Sequence, residues 1–144
     1  MSDRSGHCIC GAVRLHVADF PPEFGACHCE TCRRWTGSAF LAATVPPERV
    51  HVAGGDHVAR FRSSDWAERA WCARCGTNLW YRLTRPGGAY EIPIGLLDDT
   101  RGLKFSSEIY VDCRPDCFAY EGTAARATMT RAECFEKFAP STEE

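Results

Sequence analysis

The sequence predicts a mainly β domain of antiparallel strands, closed by one short C-terminal helix and stabilised by zinc. Three observations predict it. Short apolar runs with a period of two alternate with Pro- and Gly-rich breakers. A single helix-start signature stands near the end of the chain. Ten cysteines, seven of them in three tight groups, supply metal-ligand chemistry that a strand-rich fold can gather from distant loops.

The first run, residues 11–17 (GAVRLHV), places Val13, Leu15 and Val17 in phase against Arg14 and His16, the pattern of a half-buried strand. SAFLAATV, HVARFR, NLWYRL, AYEIPI and SEIYV follow as further strands. Between them DFPPEFG, VPPERV, AGGD and TRPGG supply the residues that favour turns and interrupt helices. A short turn of helix is allowed after Cys29. The late helix starts at Thr130, where Thr-Arg-Ala-Glu forms a capping box with Glu133 at its third position, and Phe135 and Phe138 follow on one face. Residues 6–138 therefore read as one domain, residues 1–5 as a flexible lead and residues 139–144 as a disordered tail.

A chain of 144 residues can bury a core without covalent staples. Its net charge of −2, with both signs interspersed, gives it no reason to coat nucleic acid or a membrane surface. The opening MSDRSGHCIC lacks the apolar core of a secretory signal, and no apolar run approaches the roughly 18 residues of a membrane span. A reducing cytoplasm is the expected location. There, dense cysteine reads as metal or redox chemistry rather than as disulfides.

The seven grouped cysteines divide as four and three. WCARCG carries Cys72 and Cys75 at a spacing that lets one turn hold both sulfurs on one ion, with Gly76 free to take the positive φ such a turn needs. CICG repeats the device with Cys8 and Cys10 and ends in Gly11. Together Cys8, Cys10, Cys72 and Cys75 make a closed structural zinc site. CHCETC leaves Cys27, Cys29 and Cys32 for a second, catalytic zinc with its fourth position open, so two zinc ions per chain are expected. His28, flanked by two ligands, is expected to face away. Three thiolates leave the zinc complex with a formal negative charge, which suits it to holding another thiol as thiolate better than to hydrolysis. Arg33 and Arg34 follow directly and are candidates for balancing that charge or for pairing with carboxylates of an incoming thiol peptide. Cys113, Cys117 and Cys134 read as bystanders. No general base is assigned, because Glu30 and Asp112 both read as solvated.

GHCICGAVRL, CHCETCRRWTGSAF and WCARCGTNLWY, in this order, resemble the glutathione-dependent formaldehyde-activating family, which includes centromere protein V. The likeness runs from Gly6 to Phe138 and takes in EIYVDCRPDCFAY. It implies a β-tent fold of twisted antiparallel sheets, a structural zinc on Cys8, Cys10, Cys72 and Cys75, and a second zinc on Cys27, Cys29 and Cys32. The implied activity is condensation of formaldehyde with glutathione to S-hydroxymethylglutathione, a carbon–sulfur lyase reaction, with glutathione or another small thiol as partner. The rival reading is a non-catalytic zinc-stabilised binding module with a protein partner such as a small GTPase. Chromatin association is disfavoured, since the chain has no basic extension. The sequence assigns no oligomeric state.

Overall fold

The computed structural model describes residues 2–138 and consists of two sheets and two helices. Strands β1 (Arg4–His7), β2 (Arg14–Val17) and β5 (Val50–Ala53) form a three-stranded antiparallel sheet in the order β1-β2-β5. The larger sheet holds β3 (Glu23–Cys27), β4 (Phe40–Val45), β6 (Val58–Ser64), β7 (Ala67–Cys72), β8 (Asn78–Leu83), β9 (Tyr90–Pro93), β10 (Lys104–Ile109) and β11 (Ala127–Met129). Its order is β11-β10-β3-β4-β9-β8-β7-β6. Helix α1 spans Glu30–Thr36 and α2 spans Arg131–Phe138. No helix among the described residues is long and apolar enough to cross a membrane.

Three expectations need correction. Helix α1 is a full element, so there are two α-helices among the described residues and not one; Cys29 of CHCETC caps its start. The sheet is also not wholly antiparallel: β10 runs parallel to both β3 and β11, because long connections return the chain in the same direction on either side of it. The ordered domain begins before residue 6, since Arg4 and Ser5 already pair with Val17 and His16 in β1. The expected tail, residues 139–144, lies outside the described residues. The helix start at Thr130 is as read from the sequence: Thr130 N–H donates to Glu133 Oε1 at 2.8 Å, and Glu133 N–H donates to Thr130 Oγ1 at 3.3 Å.

The alternation of side chains along each strand gives the large sheet two different faces. Ala43, Val45, Ala70, Trp80 and Ile92 point to one face and pack with Val13, Leu15, Val17 and Phe20 of the first part of the chain, forming the main core between the sheets. Their neighbours Phe40, Ala42 and Tyr81 point to the other face, where they meet Cys32 and Trp35 of α1. The small sheet meets the turn after β9 closely at Gly6, which bridges Leu97; a Cβ there would run into the Leu96 carbonyl.

A buried carboxylate joins the last third of the chain to this body. Glu108 of β10 is 0% exposed and accepts hydrogen bonds from His28 Nε2 (2.8 Å), Thr123 Oγ1 (2.7 Å) and Arg126 Nε (2.9 Å). Burial alone would raise its pKa, but these three donors outweigh burial and hold the carboxyl below its ordinary value. Replacing Glu108 by Ala strands the buried His28 and the half-buried Arg126, and should destabilise the fold by roughly 3–5 kcal/mol in urea titrations. Because the folded-state pKa is lowered, Glu108 stabilises the fold above its unfolded value near 4.5, and that contribution should fade as pH falls through the lower folded value. The acid limb of the stability curve should be shallower in Glu108→Ala than in the wild type.

Candidate metal centres

Cys8 and Cys10 leave the end of β1, whereas Cys72 and Cys75 leave the end of β7, and the four sulfurs converge with every pair within 4.8 Å. Two similar turns aim them. Gly11, at φ +80°, donates its N–H to Cys8 O at 3.0 Å, and Gly76, at φ +82°, donates to Cys72 O at 2.8 Å. Both glycines occupy the left-handed region that the sequence anticipated for Gly76. Val13 N–H also donates to Cys8 Sγ at 3.3 Å. Thr77 links the turns, accepting from Ile9 N–H at 3.0 Å and lying 3.1 Å from Cys75 Sγ through the same hydroxyl. A tetrahedral ion with metal–sulfur bonds of about 2.3 Å requires sulfurs about 3.8 Å apart. The Cys8–Cys10 and Cys10–Cys72 separations are 3.6 and 3.9 Å, so the donor set fits such an ion.

On the opposite face of the large sheet, Cys27, Cys29 and Cys32 bring a second set of sulfurs within 4.8 Å of one another. Cys27 ends β3. Cys29 caps α1, its sulfur accepting from Cys32 N–H at 3.3 Å, and Cys32 lies inside the helix, facing the sheet. The three thiols titrate apart. Hydrogen bonds from Cys27 and Cys32 hold Cys29 well below the thiol range, while hydrogen bonding to Cys29 and Cys32, reinforced by burial, pushes Cys27 up. His28 turns its ring away from the sulfurs and into the Glu108 cluster, where it is 1% exposed. Among the described residues no third group of ligand-type side chains converges. Cys134 is buried in α2, Cys113 is half-buried and Cys117 is exposed.

The cation at the second thiol set is one that the sequence reading missed. Arg69 of β7 is 4% exposed and donates from Nη1 to Cys32 Sγ at 3.6 Å and from Nε to Ser63 Oγ at 3.1 Å. Its guanidinium stacks over Trp35 at 5.0 Å and over Tyr81 at 4.8 Å, so two rings fix its plane. Arg33 and Arg34 stand in the last turn of α1, where they complement its dipole; Arg33 is half-buried and Arg34 exposed, and no hydrogen bond from either reaches a sulfur among the described residues. From Arg69 a polar row crosses the sheet on the same face, Arg69 opposite Tyr81, Tyr81 opposite Glu91 and Glu91 opposite Thr44. Just past the Ile109–Cys27 pair, Tyr110 takes φ 56° and ψ 42°, a left-handed conformation uncommon for an aromatic residue, and this ends the strand that SEIYV would have continued.

The family model for the glutathione-dependent formaldehyde-activating enzyme matches residues 3–113. Over 129 residues the chain is 31% identical to an uncharacterized lyase of Schizosaccharomyces pombe, a span covering 90% of this chain and 93% of that one. It is also 31% identical over 83 residues to a putative glutathione-dependent formaldehyde-activating enzyme of Halomonas elongata, covering 52% of this chain and 53% of that protein. A crystal structure of a Rhodobacter sphaeroides protein shares the fold, with a TM-score of 0.56 at 20% identity over 88% of this chain and 99% of the other.

The two thiol sets differ in how much chain each restrains, and this separates their variants. Cys72→Ser removes a ligand from a site joining residues 8 and 75, so metal and folding free energy should be lost together, seen as collapse of the circular dichroism spectrum. Cys29→Ser disturbs a site within one short loop and should keep its fold while losing one bound metal equivalent. Equal loss of structure in both variants would make both sites structural.

Proposed function

The chain belongs to the glutathione-dependent formaldehyde-activating family, and on that footing we propose that it is a zinc-dependent carbon–sulfur lyase acting on the adduct of a small thiol with an aldehyde. Glutathione and formaldehyde are the pair that the family description supports. The observation that carries the proposal is the count of converging ligands: four sulfurs on one face of the sheet and only three on the other. Cys8, Cys10, Cys72 and Cys75 would close a structural zinc, and Cys27, Cys29 and Cys32 would hold a second zinc with one coordination position left for substrate. Zinc bound there supplies a soft Lewis-acid position suited to a thiolate sulfur.

The chain's own residues supply the rest. The Arg69 guanidinium faces the anionic thiol set and offsets its charge from inside the protein, where screening by water is weak. Trp35 and Phe40, packed at 5.3 Å, give the site an apolar wall. Arg33 and Arg34, on the helix that carries Cys32, are the residues proposed to meet the carboxylates of a thiol peptide. In the reaction the sulfur–carbon bond forms, the thiol loses its proton and the carbonyl oxygen gains one, with no change of oxidation state. A reducing cytoplasm suits seven thiols that must stay unpaired.

The test is formation of S-hydroxymethylglutathione, followed by exchange NMR with reduced, zinc-loaded protein. Exchange between formaldehyde and glutathione should accelerate in proportion to protein, Cys29→Ser should abolish the acceleration, and S-methylglutathione should not replace the thiol. A protein that binds two zinc ions yet accelerates adduct formation from no thiol–aldehyde pair would instead favour the non-catalytic binding module.

A further inference from the structure

Adduct formation moves a proton from sulfur to oxygen, so the site needs a group that can give and take one near the carbonyl oxygen. Neither the two carboxylates weighed in the sequence, Glu30 and Asp112, nor the buried Glu108 serves. Glu30 is exposed on the first turn of α1, Asp112 accepts the Arg131 N–H at 2.8 Å, and Glu108 is locked among His28, Thr123 and Arg126. Among the described residues, Glu23 at the far end of β3 from Cys27 is exposed, which leaves Glu91 as the partly buried carboxylate on the face that carries Cys27 and Cys32.

Glu91 lies at the middle of β9, half-buried, with both oxygens accepting from Thr44 Oγ1 at 2.9 and 2.8 Å. It is directly opposite Tyr81 across the β8–β9 pair, and Tyr81, like Cys27 and Cys29, packs against the buried cluster of Cys32, Phe40 and Ala42. Directly opposed side chains on neighbouring strands stand roughly 5 Å apart at Cβ. Around Glu91, Thr44 faces it from β4 and Tyr81 from β8; Arg69 of β7 lies beyond Tyr81, spent on Cys32 and Ser63, and Cys27 and Cys32 lie across the face. No arginine, lysine or histidine pairs with it among the described residues, and Thr44 is its one polar contact. A carboxylate with a hydroxyl donor, no cation and a place on the thiol-bearing face, one strand from Tyr81, has no structural ion pair to account for it.

We propose that Glu91 is the acid–base residue of the reaction, delivering a proton to the carbonyl oxygen of the aldehyde as the thiol sulfur bonds to its carbon. The carbonyl π pair becomes the O–H bond, Glu91 is left as carboxylate, and the proton shed by the thiol restores it. In the reverse direction the carboxylate removes the hydroxyl proton as the carbon–sulfur bond breaks. Burial raises the Glu91 carboxyl to about 7, against the smaller lowering by Thr44, so both protonation states are populated at neutral pH, as a group working in both directions requires.

The inference rests on the lyase reading, and its test separates the two. With the zinc-loaded protein, Glu91→Gln should keep its metal and its KM for glutathione, lose about 100-fold in kcat, and lose the decline in rate with rising pH near 7. Thr44→Val removes the bond that lowers the Glu91 pKa and should move that decline to higher pH. A readout without turnover accompanies it. Because folding raises the Glu91 pKa from 4.5, wild-type stability relative to Glu91→Gln should fall as pH rises from about 4.5 through about 7. Unchanged kcat in Glu91→Gln overturns the proposal, as does a pH decline that neither variant moves or a stability difference that is flat with pH. A raised KM with intact kcat also overturns it and makes Glu91 a recognition site for the thiol peptide's ammonium. A wild-type protein that turns over no thiol–aldehyde pair overturns the lyase reading and this inference with it.

Discussion

The meeting of the Cys8 turn with the Cys72 turn joins residues more than sixty positions apart and fastens the small sheet to the large one. Cys8 and Cys72 are both 0% exposed and belong to the main core, so the sulfurs contribute apolar packing as well as ligands. Around them, Thr77 accepts from the Ile9 backbone, Cys72 N–H donates to Thr77 O at 2.9 Å, and Gly6 bridges Leu97. A metal ion there would exist only in the folded chain, so its binding free energy would add directly to stability. Everything placed by the large sheet, including the second thiol set, depends on this junction.

Strand periodicity turns that junction into a division of labour. Residues 80 and 81 are neighbours in β8, yet Trp80 fills the main core and Tyr81 packs on the opposite face with Cys32, Phe40 and Ala42. Residues 42 and 43 divide in the same way on β4. One face can therefore be close-packed for stability while the other keeps the polar row of Thr44, Glu91, Tyr81 and Arg69, which a core could not tolerate. Glu108 extends the scheme to the end of the chain: by holding His28, which lies between two of the three thiols, it fixes the loop from behind.

The sequence was most legible where chemistry is local. The thiol groups follow from spacing alone, and the structure gathers them as four and three. NLWYRL matches β8 residue for residue, and the Thr130 capping box fixes the start of α2. Elements whose residues answer to distant partners were not legible. β1 reads RSGH and owes its strand to pairing with β2 and to the close approach at Gly6. β7 reads AERAWC, with Glu68 and Arg69 breaking the alternation, and no local rule says that Arg69 is buried against a sulfur. Arg33 and Arg34 were legible by adjacency to Cys32, and the structure places both in the last turn of the helix that carries it. Glu91 carried no signal, since its significance lies in the strands on either side of it.

Two metal centres that share seven thiolates as four and three would leave only the smaller set with room for a substrate thiol. Zinc X-ray absorption before and after stoichiometric glutathione tests it most directly. Seven sulfurs over two ions predict an average of about 3.5 sulfurs per zinc in the free protein, rising to about 4 with glutathione bound and unchanged by S-methylglutathione. An average of 4 in the free protein, or one that glutathione does not raise, would contradict it.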